Sequence, residues 1–164
     1  MQGVMRGALH CLFVVFLAQL TAPSILPAQK TVPKHLTLTT SASTTSVAPG
    51  SKVSLFIDVV PNPGIHVYAP GAKDYLPIAV KLGPLAGVVA GKIVYPKSEL
   101  MVFADERVPV FQKPFRLTED VTIARTAKSG ATLTINGKVN YQACDDAVCF
   151  IPATAPVAWT ISVR

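Results

Sequence analysis

Apolar and polar residues alternate with a period of two in run after run of this chain, and Gly- and Pro-rich turns separate the runs. A strand buries alternate residues on one face, whereas a helix needs an apolar stripe every three or four positions. Val53, Leu55, Ile57 and Val59 keep the two-residue period after the turn pair Pro49-Gly50, and Pro61-Asn62-Pro63-Gly64 ends that run. Ile65 to Ala69, Ile78 to Leu82, Val88 to Tyr95, Val108 to Phe111 and Phe115 to Ile123 are further short β-rich runs. Val157, Trp159, Ile161 and Val163 form a closing strand, and no stretch offers a helical stripe.

Asn136-Gly137 is a strong hairpin signal. Folding the chain back there would set Leu133 against Asn140 and Thr134 against Val139, mixing apolar and polar residues on each face. Read straight through, Leu133, Ile135, Gly137, Val139 and Tyr141 stay in phase. This predicts one long strand with a bulge or a close approach at Gly137, delivering Cys144 at its end. Seven to nine short strands, with 14 prolines and 10 glycines in the chain, predict an all-β fold, an immunoglobulin-like antiparallel β-sandwich. A partly open barrel is the alternative. Trp159 is expected in the core.

The N-terminus reads as a secretory signal peptide over residues 1–28: a short basic start, an apolar run from Ala8 to Leu20, then Pro and small residues up to a cut after Ala28, with an uncleaved signal anchor as the alternative. Its removal takes Cys11 with it. The mature chain is then expected in the periplasm or secreted, touching the membrane only through a partner. Residues 29–46, rich in Thr, Ser, Pro and Lys, are expected to be a flexible lead-in that joins the fold near His35 to Thr40, with the β-sandwich domain spanning 47–164. The formal charge of +6 is scattered, and aromatics do not interleave with the cations as on a nucleic-acid platform.

Cys144 and Cys149 therefore remain as the mature chain's thiols, an even number that suits an oxidising compartment. Closing a ring of about six residues constrains the unfolded chain by roughly 2 kcal/mol, against ~3 for fifteen. A bond at the end of a strand that contributes so little to stability makes better sense as an exchangeable disulfide, although an inert clip stays open as the alternative. Asp145 and Asp146 put negative charge beside Cys144, which raises a thiol's pKa and slows its attack as a thiolate. A structural zinc site needs four ligands at recognisable spacings, and His35 and His66 lie far apart without such a pattern. His66, alternating with apolar neighbours, is expected on the solvent or edge side of its strand. Neither a Ser-His-Asp set nor a paired-carboxylate motif nor a phosphate-cradling loop stands out.

Tyr141-Gln142-Ala143-Cys144 leading into Cys149-Phe150-Ile151-Pro152 resembles the cysteine motif of the N-terminal periplasmic domain of the thiol:disulfide interchange protein DsbD, the disulfide bond corrector family. Pro63-Gly64-Ile65-His66-Val67-Tyr68 is similar to that family's early His/Tyr strand, and Tyr95-Pro96-Lys97 with Phe103 to Phe111 is similar to the segment carrying its cap loop. The resemblance implies an immunoglobulin-like domain that needs no cofactor. It would act as a protein-disulfide reductase or interchange component, taking reducing equivalents from a thioredoxin-like or membrane-bound donor to periplasmic disulfide-bonded clients. It also implies that the donor engages Cys149 and that Cys144 resolves the mixed disulfide. Phe103 becomes the candidate cap aromatic with Asp105 and Glu106 beside it, and Tyr141, Asp145 and Asp146 are supporting candidates. The sequence shows neither the transmembrane carrier nor the C-terminal thioredoxin domain of full-length DsbD, so a free-standing module is expected. The loop Asp145 to Val148 is one residue shorter than in the best-known member. A non-enzymatic binding module with a structural disulfide is the competing reading.

Overall fold

The computed structural model describes residues 29–31, 33–103 and 105–164, so the predicted signal peptide and Cys11 lie outside the described residues. Thirteen strands run through the described part. They begin with β1 (Gln29–Thr31), β2 (Leu36–Ala42), β3 (Ser46–Val47), β4 (Lys52–Pro61) and β5 (His66–Tyr68). Next come β6 (Ala79–Leu82), β7 (Val88–Val94), β8 (Glu99–Phe103), β9 (Glu106–Phe111) and β10 (Phe115–Ile123). The chain closes with β11 (Thr132–Tyr141), β12 (Ala143–Cys144) and β13 (Ala153–Val163).

The fold is all-β and immunoglobulin-like. One sheet has the order β1-β2-β4-β10-β7 and a second the order β3-β13-β11-β6. Alternate residues of both feed one core: Val53, Leu55, Ile57 and Val59 from β4 meet Ile135 and Val139 from β11 and Val157, Trp159 and Ile161 from β13. The Trp159 indole N–H donates to the carbonyls of Ser41 (3.0 Å) and Phe56 (3.2 Å), which ties β13 to the strands of the other sheet. This is why a large ring with one polar atom suits that position.

β11 runs unbroken through Asn136-Gly137, in continuous antiparallel register with β13 from Thr132↔Ser162 to Tyr141↔Ala153. There is no bulge at Gly137. The glycine instead permits a close approach, since a Cβ there would lie 3.0 Å from Leu82 Cδ2 and 3.3 Å from the Lys81 carbonyl oxygen.

Three expectations need correction. The supposed flexible lead-in, 29–46, contains β1 and β2, and Leu36 and Leu38 are buried core residues. Its threonines, read as loop-like, alternate with these leucines and suit the pleat of a strand. The pairing is not purely antiparallel, because the short β3 runs parallel to β13. Finally, a third sheet, β12-β5-β9-β8, stands beside the main pair and gives more strands than expected. Its β8 was not anticipated: Glu99–Phe103 pairs back on Glu106–Phe111 through a tight turn in which Asp105 takes φ 67°.

Glu119 faces inward from β10 between Leu117 and Val121 and is only 8% exposed. Burial raises its carboxyl above the ordinary range, and its charge in turn adds to the burial that raises the nearby Tyr95 phenol. A carboxyl whose folded pKa exceeds its unfolded one adds stability fully present below the unfolded pKa and lost as pH rises through the folded one. Glu119→Gln should therefore stabilise the fold near neutral pH by about 0.5–2 kcal/mol, with the gain vanishing in acid. Thermal melts at both pH values check this, and a lower Tm for the variant at pH 7 would refute it.

Candidate functional site

Tyr141 ends β11 inside the core, its hydroxyl donating to the Lys34 carbonyl at 2.7 Å, and burial raises its phenol pKa. The chain then leaves the β3-β13-β11-β6 sheet. β12 pairs with β5, setting Cys144 opposite His66 and Ala143 opposite Val67. Four residues later the chain returns, and Cys149 stands across from Cys144 with the two sulfurs bonded at 2.10 Å and the Cα atoms 4.0 Å apart.

The loop between the cysteines is closed by its own first residue. Asp145 Oδ1 accepts from the amides of Ala147 (2.8 Å) and Val148 (2.7 Å), while the Asp145 amide donates to the Val148 carbonyl at 3.0 Å. Those amide contacts hold the Asp145 carboxyl below its usual range. Past Cys149 the exit is clamped as well. The Phe150 amide donates to the Ala143 carbonyl (2.9 Å), Gln142 Nε2 donates to the Phe150 carbonyl (3.2 Å), and the Phe150 ring stacks on His35 at 3.8 Å. The disulfide thus sits in a stiff β-bend carried by the ends of β11 and β13.

The two sulfurs have unequal surroundings. Cys144 is 1% exposed, whereas Cys149 is an exposed residue. Beneath them the hydroxyl of Tyr68, from β5, lies 3.3 Å from each sulfur. Neither sulfur of a disulfide carries a proton, so the phenol donates. Its ring is buried, stacked on Tyr75 at a centroid distance of 4.1 Å and edge-on to His66 at 5.6 Å. Burial first, and Tyr75 second, raise the Tyr68 pKa, which keeps the phenol protonated.

A cleft beside the disulfide is lined by His66, Tyr68, Asp145, Ala147 and Val148, with Met101 and Phe103 of β8 and Val108 and Val110 of β9 on the facing wall. Met101 and Phe103 share a face because strand side chains alternate, which leaves Leu100 and Val102 on the opposite face. The cleft measures about 40 Å³, room for a few waters, far below the ~300–1,000 Å³ of small-molecule sites. Two of the lining apolar side chains stand largely in solvent, Phe103 at 55% and Val148 at 54% exposure, and Ile151, two residues beyond Cys149, is 90% exposed.

Of the residues singled out from sequence, the fold brings Cys144, Cys149, Asp145 and Phe103 to one cleft. Asp146 is exposed outside its lining, though its charge opposes the burial that lowers the His66 pKa. Tyr141 is a core anchor. Asp105 and Glu106 occupy the turn end of the β8–β9 hairpin and do not line the cleft, and Glu106 borders a separate groove with Lys73, Asp74 and Arg107. His66 is buried rather than on a solvent or edge side, because β5 runs between β12 and β9. Tyr68, Met101, Val108 and Val110 were not anticipated as site residues. Tyr68 reaches Cys144 across 76 residues of chain, and alternation alone cannot report such a pairing. Among the described residues, no three His, Cys, Asp or Glu side chains gather as metal ligands.

Residues 34–160 match the family model described as thiol:disulfide interchange protein DsbD, N-terminal. Among solved structures, the N-terminal periplasmic domain of ScsB from Proteus mirabilis aligns with a TM-score of 0.53 at 12% identity, over 88% of this chain and 49% of that one. This chain therefore spans about half the length of that relative. The N-terminal domain of Neisseria meningitidis DsbD in its reduced form aligns with a TM-score of 0.50 at 16% identity, over 80% of this chain and 90% of that one. At these identities the two likenesses speak to the fold. A search of curated protein sequences finds no match.

Proposed function

Because the chain belongs to the DsbD N-terminal domain family, we propose that it is an exported thiol–disulfide exchange module, relaying reducing equivalents through Cys144 and Cys149. A thioredoxin-like or membrane-bound donor supplies them, and disulfide-bonded proteins of the periplasm receive them. The observation that carries this reading is the unequal exposure of the pair: Cys149 is an exposed residue at the surface, whereas Cys144 is buried. An inert clip has no need of such a difference between its two cysteines.

The cleft is too small for a small-molecule substrate, so the reacting group arrives on another protein. Exposed Phe103, Val148 and Ile151 offer that partner an apolar rim around the sulfur. Phe103, at the end of β8, acts as the cap over the pair and is displaced when the partner docks. Asp105 and Glu106 sit at the turn that carries this cap and contribute to its outer surface.

The test is a redox titration of the purified protein against glutathione, with thiols trapped and counted by mass. A midpoint between about −180 and −270 mV is expected for an exchange protein, whereas one below about −300 mV would mark a structural clip. In the same titration Phe103→Ala should keep the midpoint and reach equilibrium several-fold faster. Unchanged kinetics would remove Phe103 from the cap.

A further inference from the structure

We infer that Tyr68 is a catalytic residue of the exchange, its hydroxyl donating a hydrogen bond to Cys144 Sγ, and keeping its proton, as that sulfur becomes the leaving thiolate. This rests on the exchange reading above and assigns within it the group that carries the developing charge.

When a donor thiolate attacks Cys149 Sγ, a new bond joins the donor sulfur to Cys149. The Cys144–Cys149 bond breaks, and its electron pair leaves on Cys144 Sγ. The negative charge appears on a sulfur that is 1% exposed, with the carboxylate of Asp145 in the same cleft. Burying such a charge without a donor is strongly unfavourable. Lys and Arg are not among the described residues that line the cleft, and burial lowers the pKa of His66, the lining residue opposite Cys144, which favours its uncharged form; a neutral donor is therefore needed.

Tyr68 meets that need. Its oxygen is 3.3 Å from Cys144 Sγ and equally 3.3 Å from Cys149 Sγ, so a small rotation about the C–O bond commits the hydrogen to whichever sulfur carries charge. Buried and stacked on Tyr75, the phenol is held in place before the reaction starts, as pre-organised electrostatic stabilisation requires. Its raised pKa favours donating a hydrogen bond over losing the proton. In the second step the donor's other thiolate attacks the donor sulfur of the mixed disulfide. Cys149 is released as thiolate, and the donor is left oxidised. On the client side Cys149 attacks first and the client's other sulfur leaves; Cys144, its thiolate stabilised by the same hydrogen bond as it forms, then attacks Cys149 Sγ and displaces the client's remaining sulfur.

The experiment follows reduction of the purified protein by dithiothreitol in stopped flow across pH, together with thiolate absorbance of the reduced protein. Tyr68→Phe keeps the ring and its stack and removes only the hydroxyl. It should slow reduction at least tenfold, about the loss of one hydrogen bond to a charged group. The Cys144 thiol pKa should rise by about one unit, the same factor of ten. A purely structural role would lower Tm and leave the Cys144 titration in place. Should Tyr68→Phe fail to fold, the unmutated protein is made with 3-fluorotyrosine, whose more acidic phenol should speed the step. Wild-type rate and titration in folded Tyr68→Phe, or no acceleration with 3-fluorotyrosine, would overturn the assignment. If dithiothreitol does not reduce the wild-type disulfide at all, the exchange reading fails instead.

Discussion

Cys149→Ser is expected to abolish disulfide exchange while leaving the fold intact, and Cys144→Ser is expected to accumulate a stable mixed disulfide. The contrast follows from the exposure of the two sulfurs. Cys144→Ser keeps the open thiol and lacks the group that would release a bound partner. Cys149→Ser keeps only a thiol buried behind Tyr68 and the walls of the cleft. Loss of the bond itself removes roughly 2 kcal/mol of chain-entropy stabilisation, a modest share of the ~5–15 kcal/mol that holds typical domains folded. The two variants, with a thioredoxin-like protein as partner, are compared by non-reducing gels and intact mass. Full exchange by Cys149→Ser would end the relay reading, and trapping by that variant would reverse the roles of the two sulfurs.

The second large effect lies in the core. Trp159→Ala should destabilise the protein by about 3–5 kcal/mol, the range for truncating a buried tryptophan. This would lower Tm on the order of 10–20 °C for a domain of this size. The indole both fills the space between the sheets and donates to the carbonyls of Ser41 and Phe56, so the variant loses packing and a link between β13 and the β2–β4 pair. Denaturant unfolding measures the change. A loss below 1 kcal/mol would mean that neighbouring side chains collapse into the space.

Strand periodicity made much of this legible in the sequence. Val53 to Val59 and Val157 to Val163 alternate as written, and the in-phase positions of Leu133 to Tyr141 were enough to reject a hairpin at Asn136-Gly137. The cysteine loop could be placed at the ends of neighbouring strands for the same reason. What stayed hidden depends on pairing between distant segments. Leu36 and Leu38 looked like part of a polar lead-in because only pairing with the distant β4 brings them into the sheet and turns them to the core. Leu100 and Val102 on the outer face of β8 are exposed and broke the apolar pattern that would have marked a strand. His66 and Tyr68 acquire their surroundings only when β5 is enclosed between β12 and β9, which local alternation does not encode. Phe103 could be named from the family resemblance, but its place on β8, paired opposite Glu106 at the turn end of the β8–β9 hairpin, could not.

β11 and β13 remain in register for ten consecutive pairs, up to Tyr141↔Ala153, and the cysteine bend begins only beyond that point. The working end is therefore mounted on a rigid stem whose hydrogen bonds do not pass through the sulfurs. In the proposed exchange, gaining or losing two electrons would then act on the tip and leave the scaffold's ladder intact, so one copy could serve successive rounds as the same object. Lineages descending from such a chain could exchange the bend, lengthen it or alter its rim while inheriting the stem unchanged.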